Sequence, residues 1–165
     1  MITRQELLFL FLENIGISFK DVSKDFLVRK SIQKVSYLMQ SIFQVNLGYQ
    51  FGLYIYGPYS PTLAGDAFEI CENIAKYKDT PKRYVLNDEA KKAVEEFKKL
   101  MPFYKNKNGE IETCATIHFL YSETFRGLAE KKDETVKSYF QKMKPHLSQY
   151  YDACLDILKK TPSIG

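Results

Sequence analysis

The chain has no tryptophan and only two histidines, and its eight glycines are too scattered to build a phosphate-binding loop. They stand at 16, 48, 52, 57, 65, 109, 127 and 165, so neither a G-x-G-x-x-G nor a complete Walker-type sequence can be written. The three cysteines, Cys71, Cys114 and Cys154, are odd in number, far apart and never paired as Cys-x-x-Cys. That excludes a disulfide framework and a zinc ribbon and leaves reduced core thiols. With no cysteine near His118 or His146, a structural zinc site would need carboxylates from scattered positions, so no metal and no cofactor is expected. His118 shares a helical stripe with Cys114, Ile117, Tyr121 and Phe125 and reads as a hydrogen-bonded core residue.

Nucleophile signatures are missing as well. Ser60 stands between Tyr59 and Pro61, which is not a G-x-S-x-G elbow. None of the cysteines adjoins a cation or helix start that would lower its pKa. The carboxylates sit mostly on polar helix faces beside lysines, and no spacing singles out an acid and base pair. The sequence leans against an enzyme, and an active site assembled from scattered carboxylates and His118, which would leave no local motif, ranks last among three readings. The longest apolar run, Leu7–Leu12, is too short to span a bilayer and lacks the flanks of a signal peptide, so a cytoplasmic protein is expected.

What is present fits one globular domain over residues 1–165. Apolar residues make up 45% and charged residues 27%, which removes disordered and fibrous classes. A chain of this length buries roughly two-thirds of its unfolded surface without staples. The net charge of +4 arises wholly after residue 80 and is too mild to argue for nucleic acid by itself.

Periodicity predicts a mostly helical fold of about six to seven helices with a small two-stranded sheet. Thr3 and Gly16 bracket a first helix, Thr3 to Ile15, and apolar spacing carries a second over Phe26 to Val45. Gln50 to Tyr56 is rich in aromatic and β-branched residues and reads as a strand. Gly57-Pro58 then forces an extended turn, Ser60 caps and Pro61 starts a third helix, and Arg83 to Leu86 reads as the second strand. Asn87 caps the next helix, which Pro102 ends. After a polar loop at Lys105 to Glu110, helices are expected near 112–129, 133–144 and 147–160, punctuated by Pro145 and Pro162. The order also suggests a variant winged helix, with a full helix between the strands.

One segment departs from an ordinary solvated chain. From Phe26 to Gly65 the only charges are Arg29, Lys30 and Lys34, and no acid occurs. Tyr49, Phe51, Tyr54, Tyr56 and Tyr59 crowd its second part. Basic and aromatic groups together suit a protein partner or single-stranded nucleic acid, and free amides at the start of the third helix suit an anion. The expected partner-binding residues are Arg29, Lys30, Lys34, Tyr54, Tyr56, Tyr59 and Ser60, although most of the tyrosines suit a core better than a surface, Tyr59 in the turn least so.

Four stretches, Ile32–Met39, Tyr54–Pro61, Ala115–Leu120 and Met143–Leu147, resemble in matching order the YwgA-like family of bacteria and archaea, which brings almost no assigned activity. A helix with Gln-Lys-x-x-Tyr-Leu and a Tyr-Gly-Pro turn is also similar, more distantly, to the Panacea or SocA-like domain of antitoxins and proteolytic adaptors. That resemblance implies a protein-binding module that neutralises a toxin or delivers it to a protease. The expected function is therefore a protein-interaction module, with a winged-helix-like nucleic-acid-binding regulator as the alternative. For that alternative, phosphates would meet the second helix or the basic stretch Lys76 to Lys107.

Overall fold

The computed structural model describes residues 1–105, 108–161 and 164. Thr3 opens α1 (Arg4–Ile15) with a reciprocal cap: its hydroxyl accepts from the Glu6 amide at 3.1 Å, and the Glu6 carboxylate accepts from the Thr3 amide at 2.9 Å. Gly16 ends the helix at φ +99°, a conformation glycine adopts without cost. Leu8 to Leu12 are all buried, so the apolar run is enclosed on several sides as its pattern implies.

Helix α2 (Phe26–Ser41) starts at Asp25, whose side chain accepts from the Leu27 amide at 2.9 Å. It stops four residues before the expected Val45. The chain then turns through Gln44 at φ +56° and returns along the helix toward the sheet.

Among the described residues the architecture is mostly helical, and its one sheet is an antiparallel hairpin of β1 (Gly52–Tyr54) and β2 (Gly57–Tyr59). Gly52 pairs with Tyr59, Leu53 with Pro58 and Tyr54 with Gly57, leaving Ile55 and Tyr56 at the tip. The left-handed residue that lets the strands close is Gly57, at φ +94°. Both strands therefore come from the aromatic turn itself. Arg83 to Leu86 is not the second strand: Pro81 seeds a helical turn, α5 (Thr80–Arg83), and the Arg83 guanidinium is drawn to Glu6 of α1 at 2.6 Å. With no helix between the strands, the order that suggested a variant winged helix is absent.

Ser60 and Pro61 open α3 (Pro61–Glu72) as expected, the Ser60 hydroxyl accepting from the Leu63 amide at 3.3 Å. A short α4 (Ile74–Tyr77) follows. Asn87 caps α6 (Asp88–Leu100), which turns Ala93, Val94 and Phe97 inward. Helix α7 (Asn108–Phe119) continues into a π-helical turn at Leu120–Thr124. After it come α8 (Lys132–Met143), a 3₁₀ segment (Pro145–Tyr150) and α9 (Tyr151–Lys159).

Helix α7 is the centre of the fold, packed against α2, α9 and β2. Every residue from Ile111 to His118 is buried, including Glu112, Thr113, Thr116 and His118. It begins earlier than expected, inside the polar stretch 105–110, where Gly109 lies close under Tyr150. A Cβ at Gly109 would meet that ring at 2.8 Å. Asn106 and Lys107 of that stretch, and the helix-ending Pro162, lie outside the described residues.

Gly57 and Gly65 make opposite predictions. A Cβ on Gly57 would approach the Thr116 hydroxyl to 2.6 Å in a left-handed conformation, so Gly57→Ala is expected to cost about 2 kcal/mol or more in urea unfolding. Gly65, inside α3, faces open space, and Gly65→Ala is expected to stabilise by about 0.5–1 kcal/mol.

Candidate partner-binding site

Strands of three residues cannot hold a hairpin in water alone. Side chains distant in sequence hold this one. Gln33 of α2 grips the backbone of Ser60 from both sides, its amide donating to the carbonyl at 2.9 Å and its oxygen accepting from the N–H at 2.8 Å. Two turns on, Gln40 does the same to Tyr49, at 2.6 and 3.1 Å. The Lys34 ammonium donates to the Pro58 carbonyl at 2.7 Å, and Lys144 donates to the Ile55 carbonyl at the tip at 2.5 Å.

Beneath the hairpin lies Glu112 of α7, buried, with one lysine on each oxygen: Lys30 at 2.5 Å and Lys144 at 2.8 Å. Lys34 and Lys144 are buried too, and the Lys30 ammonium is nearly so. Three lysines thus surround a single carboxylate. Burial pulls the Lys34 ammonium down from its ordinary 10.5 to about 7, Lys30 and Lys144 push the same way, and Glu112 opposes them.

Lys34 and Ser60 were expected on an outward partner-binding face, and the structure places both inside. Lys34 is 1% exposed because the Pro58 carbonyl draws its ammonium under the hairpin, and Ser60 is spent on the α3 cap and the Gln33 pair. At the start of α3, expected to offer its amides to an anion, the Ser60 and Leu63 amides are thereby taken from within.

Rings form the outer layer. Ile55 is 82% exposed, and Tyr54, Tyr56, Phe26, Leu27 and Phe68 are exposed with it. Tyr56 meets Phe26 edge to face at 4.9 Å, and Tyr54 tilts against the half-buried Tyr59 at 5.0 Å. Cations stack among them: Lys30 lies 5.5 Å over Tyr56, while Arg29 lies 5.8 Å from Phe26 and 6.0 Å from Phe68. Between α2, the hairpin and α3 these groups enclose a cavity of about 250 Å³ whose lining includes Arg29, Lys30, Lys34, Tyr56 and Tyr59. Five of the seven expected residues therefore line one cavity. Tyr54 stands outside it on the hairpin, and Ser60 is sealed behind it.

Sequence reasoning missed Glu112, Lys144, Gln33 and Phe68. Glu112 and Lys144 look like ordinary polar helix residues, and only the buried neighbours of Glu112 in α7 could have marked it. Tyr49 also serves inward, donating from its hydroxyl to Asp66 at 2.7 Å beside Arg4 and Gln5.

His118 is buried, with the Tyr37 hydroxyl 2.8 Å from Nδ1. Burial lowers its pKa to about 4, so it is neutral near pH 7. Cys154 and burial push the Cys114 thiol well up. Among the described residues no group of three His, Cys, Asp or Glu side chains is placed to hold a metal, and no helix is long and apolar enough to cross a membrane. No family model, no curated protein and no solved structure matches the chain.

Two outcomes test the buried network. Glu112→Gln leaves lysines facing one another in the interior and is expected to cost about 3–5 kcal/mol of stability, measured by urea unfolding at pH 7. The Lys34 pKa is lower folded than unfolded, so between pH 7 and 10.5 the unfolded chain holds the extra proton. Stability should therefore rise with pH, by at most about 1.4 kcal/mol per pH unit. Buried Tyr37 and Tyr49, whose pKa values are raised, reverse the trend above about pH 10. Lys34→Met is expected to flatten the rise between pH 7 and 10.

Proposed function

We propose that this chain is a non-enzymatic protein-interaction module, acting as an antitoxin or adaptor in a defence or stress system. Its partner docks on the face made by the hairpin tip, the start of α2 and α3. One observation carries the reading. Among the described residues, five of the nine exposed large apolar side chains, Phe26, Tyr54, Ile55, Tyr56 and Phe68, belong to the hairpin or to the α2 and α3 residues that flank it. Isolated exposed apolar residues are ordinary, whereas a group of rings held by stacked cations beside a cavity is what interfaces use as anchors.

The rigidity beneath supports the same reading. Side chains from α2 and the segment after α8 fix the hairpin backbone, and Glu112 of α7 holds two of the lysines, so its rings lose little freedom on binding. The four stretches that carry the YwgA-like resemblance meet here: Gln33 and Lys34, the Tyr54–Pro61 turn, Thr116 against Gly57, and Lys144. The antitoxin or adaptor role rests on the more distant Panacea-like pairing of the first two.

Nucleic acid fits this face less well. Of the three cations on α2, Lys34 is buried and Lys30 is paired with Glu112, which leaves Arg29 for phosphates where several contacts are needed. On α6, Lys91, Lys92, Lys98 and Lys99 alternate with Asp88, Glu89, Glu95 and Glu96, so this helix presents no purely basic stripe.

The test is capture of the partner from the native host, with crosslinking, by the wild-type chain and by an Ile55→Ser, Tyr56→Ser variant. Wild type should recover one stoichiometric partner. The variant should bind it at least about tenfold more weakly with an unchanged circular dichroism spectrum. Failure of wild type to recover a partner, or equal recovery by both, would contradict the reading.

A further inference from the structure

The cavity between α2, the hairpin and α3 is lined largely by apolar groups, and its only charged lining residues are cations. Val22, Phe26, Tyr56 and Phe68 supply much of the wall, and Arg29, Lys30 and Lys34 are the charges that line it. No acidic side chain is among its lining residues. The one carboxylate beneath it, Glu112, has both oxygens occupied by Lys30 and Lys144.

Two cations are left with donors to spare. Lys34 has three N–H groups, and among the described residues their one acceptor is the Pro58 carbonyl. Arg29 gives one N–H to the Val22 carbonyl at 2.9 Å, and its guanidinium is steadied between the rings of Phe26 and Phe68. No carboxylate among the described residues forms an ion pair with either. A buried ammonium with unfilled donors and a pre-oriented guanidinium form a seat for an anion.

We infer that this cavity receives a carboxylate side chain of the partner protein, from a segment in which Asp or Glu adjoins a large apolar residue. The inference rests on the interaction reading above and names the chemistry of the partner. The carboxylate supplies the acceptors that Lys34 and Arg29 lack and offsets the excess positive charge around Glu112. The neighbouring apolar side chain packs among Phe26, Tyr56 and Phe68. A protein segment suits the site better than a free small acid because the exposed apolar surface runs past the cavity mouth onto Ile55 and Tyr54.

The experiment selects a displayed library of random dodecapeptides on the full chain, with an Arg29→Gln, Phe68→Ser variant as the counter-target. Enriched peptides should share an Asp or Glu beside a Phe, Leu or Trp. Replacing that acid by its amide should weaken binding at least about tenfold in fluorescence anisotropy, and Lys34→Met should remove the difference between acid and amide. No enrichment over the variant, or amide peptides binding as well as acids, overturns the inference. If the host partner is still captured through Ile55 and Tyr56 in that case, the interaction reading stands without it. A third arm titrates acetate, benzoate and free glutamate, and affinity equal to that of the peptides would assign the cavity to a small acid and overturn the choice of a protein segment.

Discussion

The attachment of the Tyr54–Pro61 hairpin to one buried carboxylate and its lysines is the constraint on which the rest depends. Glu112 sits inside the most buried helix of the fold, where an unpaired charge would be strongly unfavourable. Its oxygens are taken by Lys30 and Lys144, and Lys144 passes on to the carbonyl at the hairpin tip. Lys34 and Gln33 complete the hold at Pro58 and Ser60. A sheet too small to persist by its own ladder is thus fixed by polar side chains spread over about two-thirds of the chain, from Lys30 to Lys144. Gly57 permits the close approach, since any side chain there would displace Thr116.

That arrangement divides the residues of the acid-free segment into two layers with different work. In the inner layer Lys34, Ser60 and Gln33 satisfy backbone groups and position the turn, while Tyr49 gives its hydroxyl to Asp66. The outer layer, Phe26, Arg29, Tyr54, Ile55, Tyr56 and Phe68, meets solvent. Lys30 bridges them, paired to Glu112 below and stacked under Tyr56 above. The cost of holding rings in water is borne by a rigid base, and the excess of cations over carboxylates in that base gives the outer face a preference in charge.

Local rules made much of the fold legible. Thr3, Asn87 and Ser60 cap the helices they were expected to cap, Gly16 ends α1, and Pro61 begins α3. Those signals depend on neighbours within a few residues and survive tertiary context. The second strand was missed because Arg83 to Leu86 has strand-forming residues but no partner, while Gly57-Pro58-Tyr59 has poor strand propensity and a partner fixed by the turn. Lys34 was read as outward from its spacing to Lys30. Its burial depends on the Pro58 carbonyl, twenty-four residues away, which no helical pattern reports. Glu112 and Lys144 were invisible for the same reason, since a buried ion pair between distant helices has no local signature.

The most direct measurement is amide hydrogen exchange at Ser60, whose N–H is given to the Gln33 side chain rather than to any regular ladder. If the hairpin is fixed to the core by these side chains, this amide should exchange as slowly as that of Ile117 in α7, and Glu112→Gln should speed it by orders of magnitude more than it speeds Leu8 in α1. A Ser60 amide that exchanges like an exposed loop in the wild-type chain would show that the hairpin moves independently of the core, and the account of a rigid, charged base beneath a docking face would be wrong.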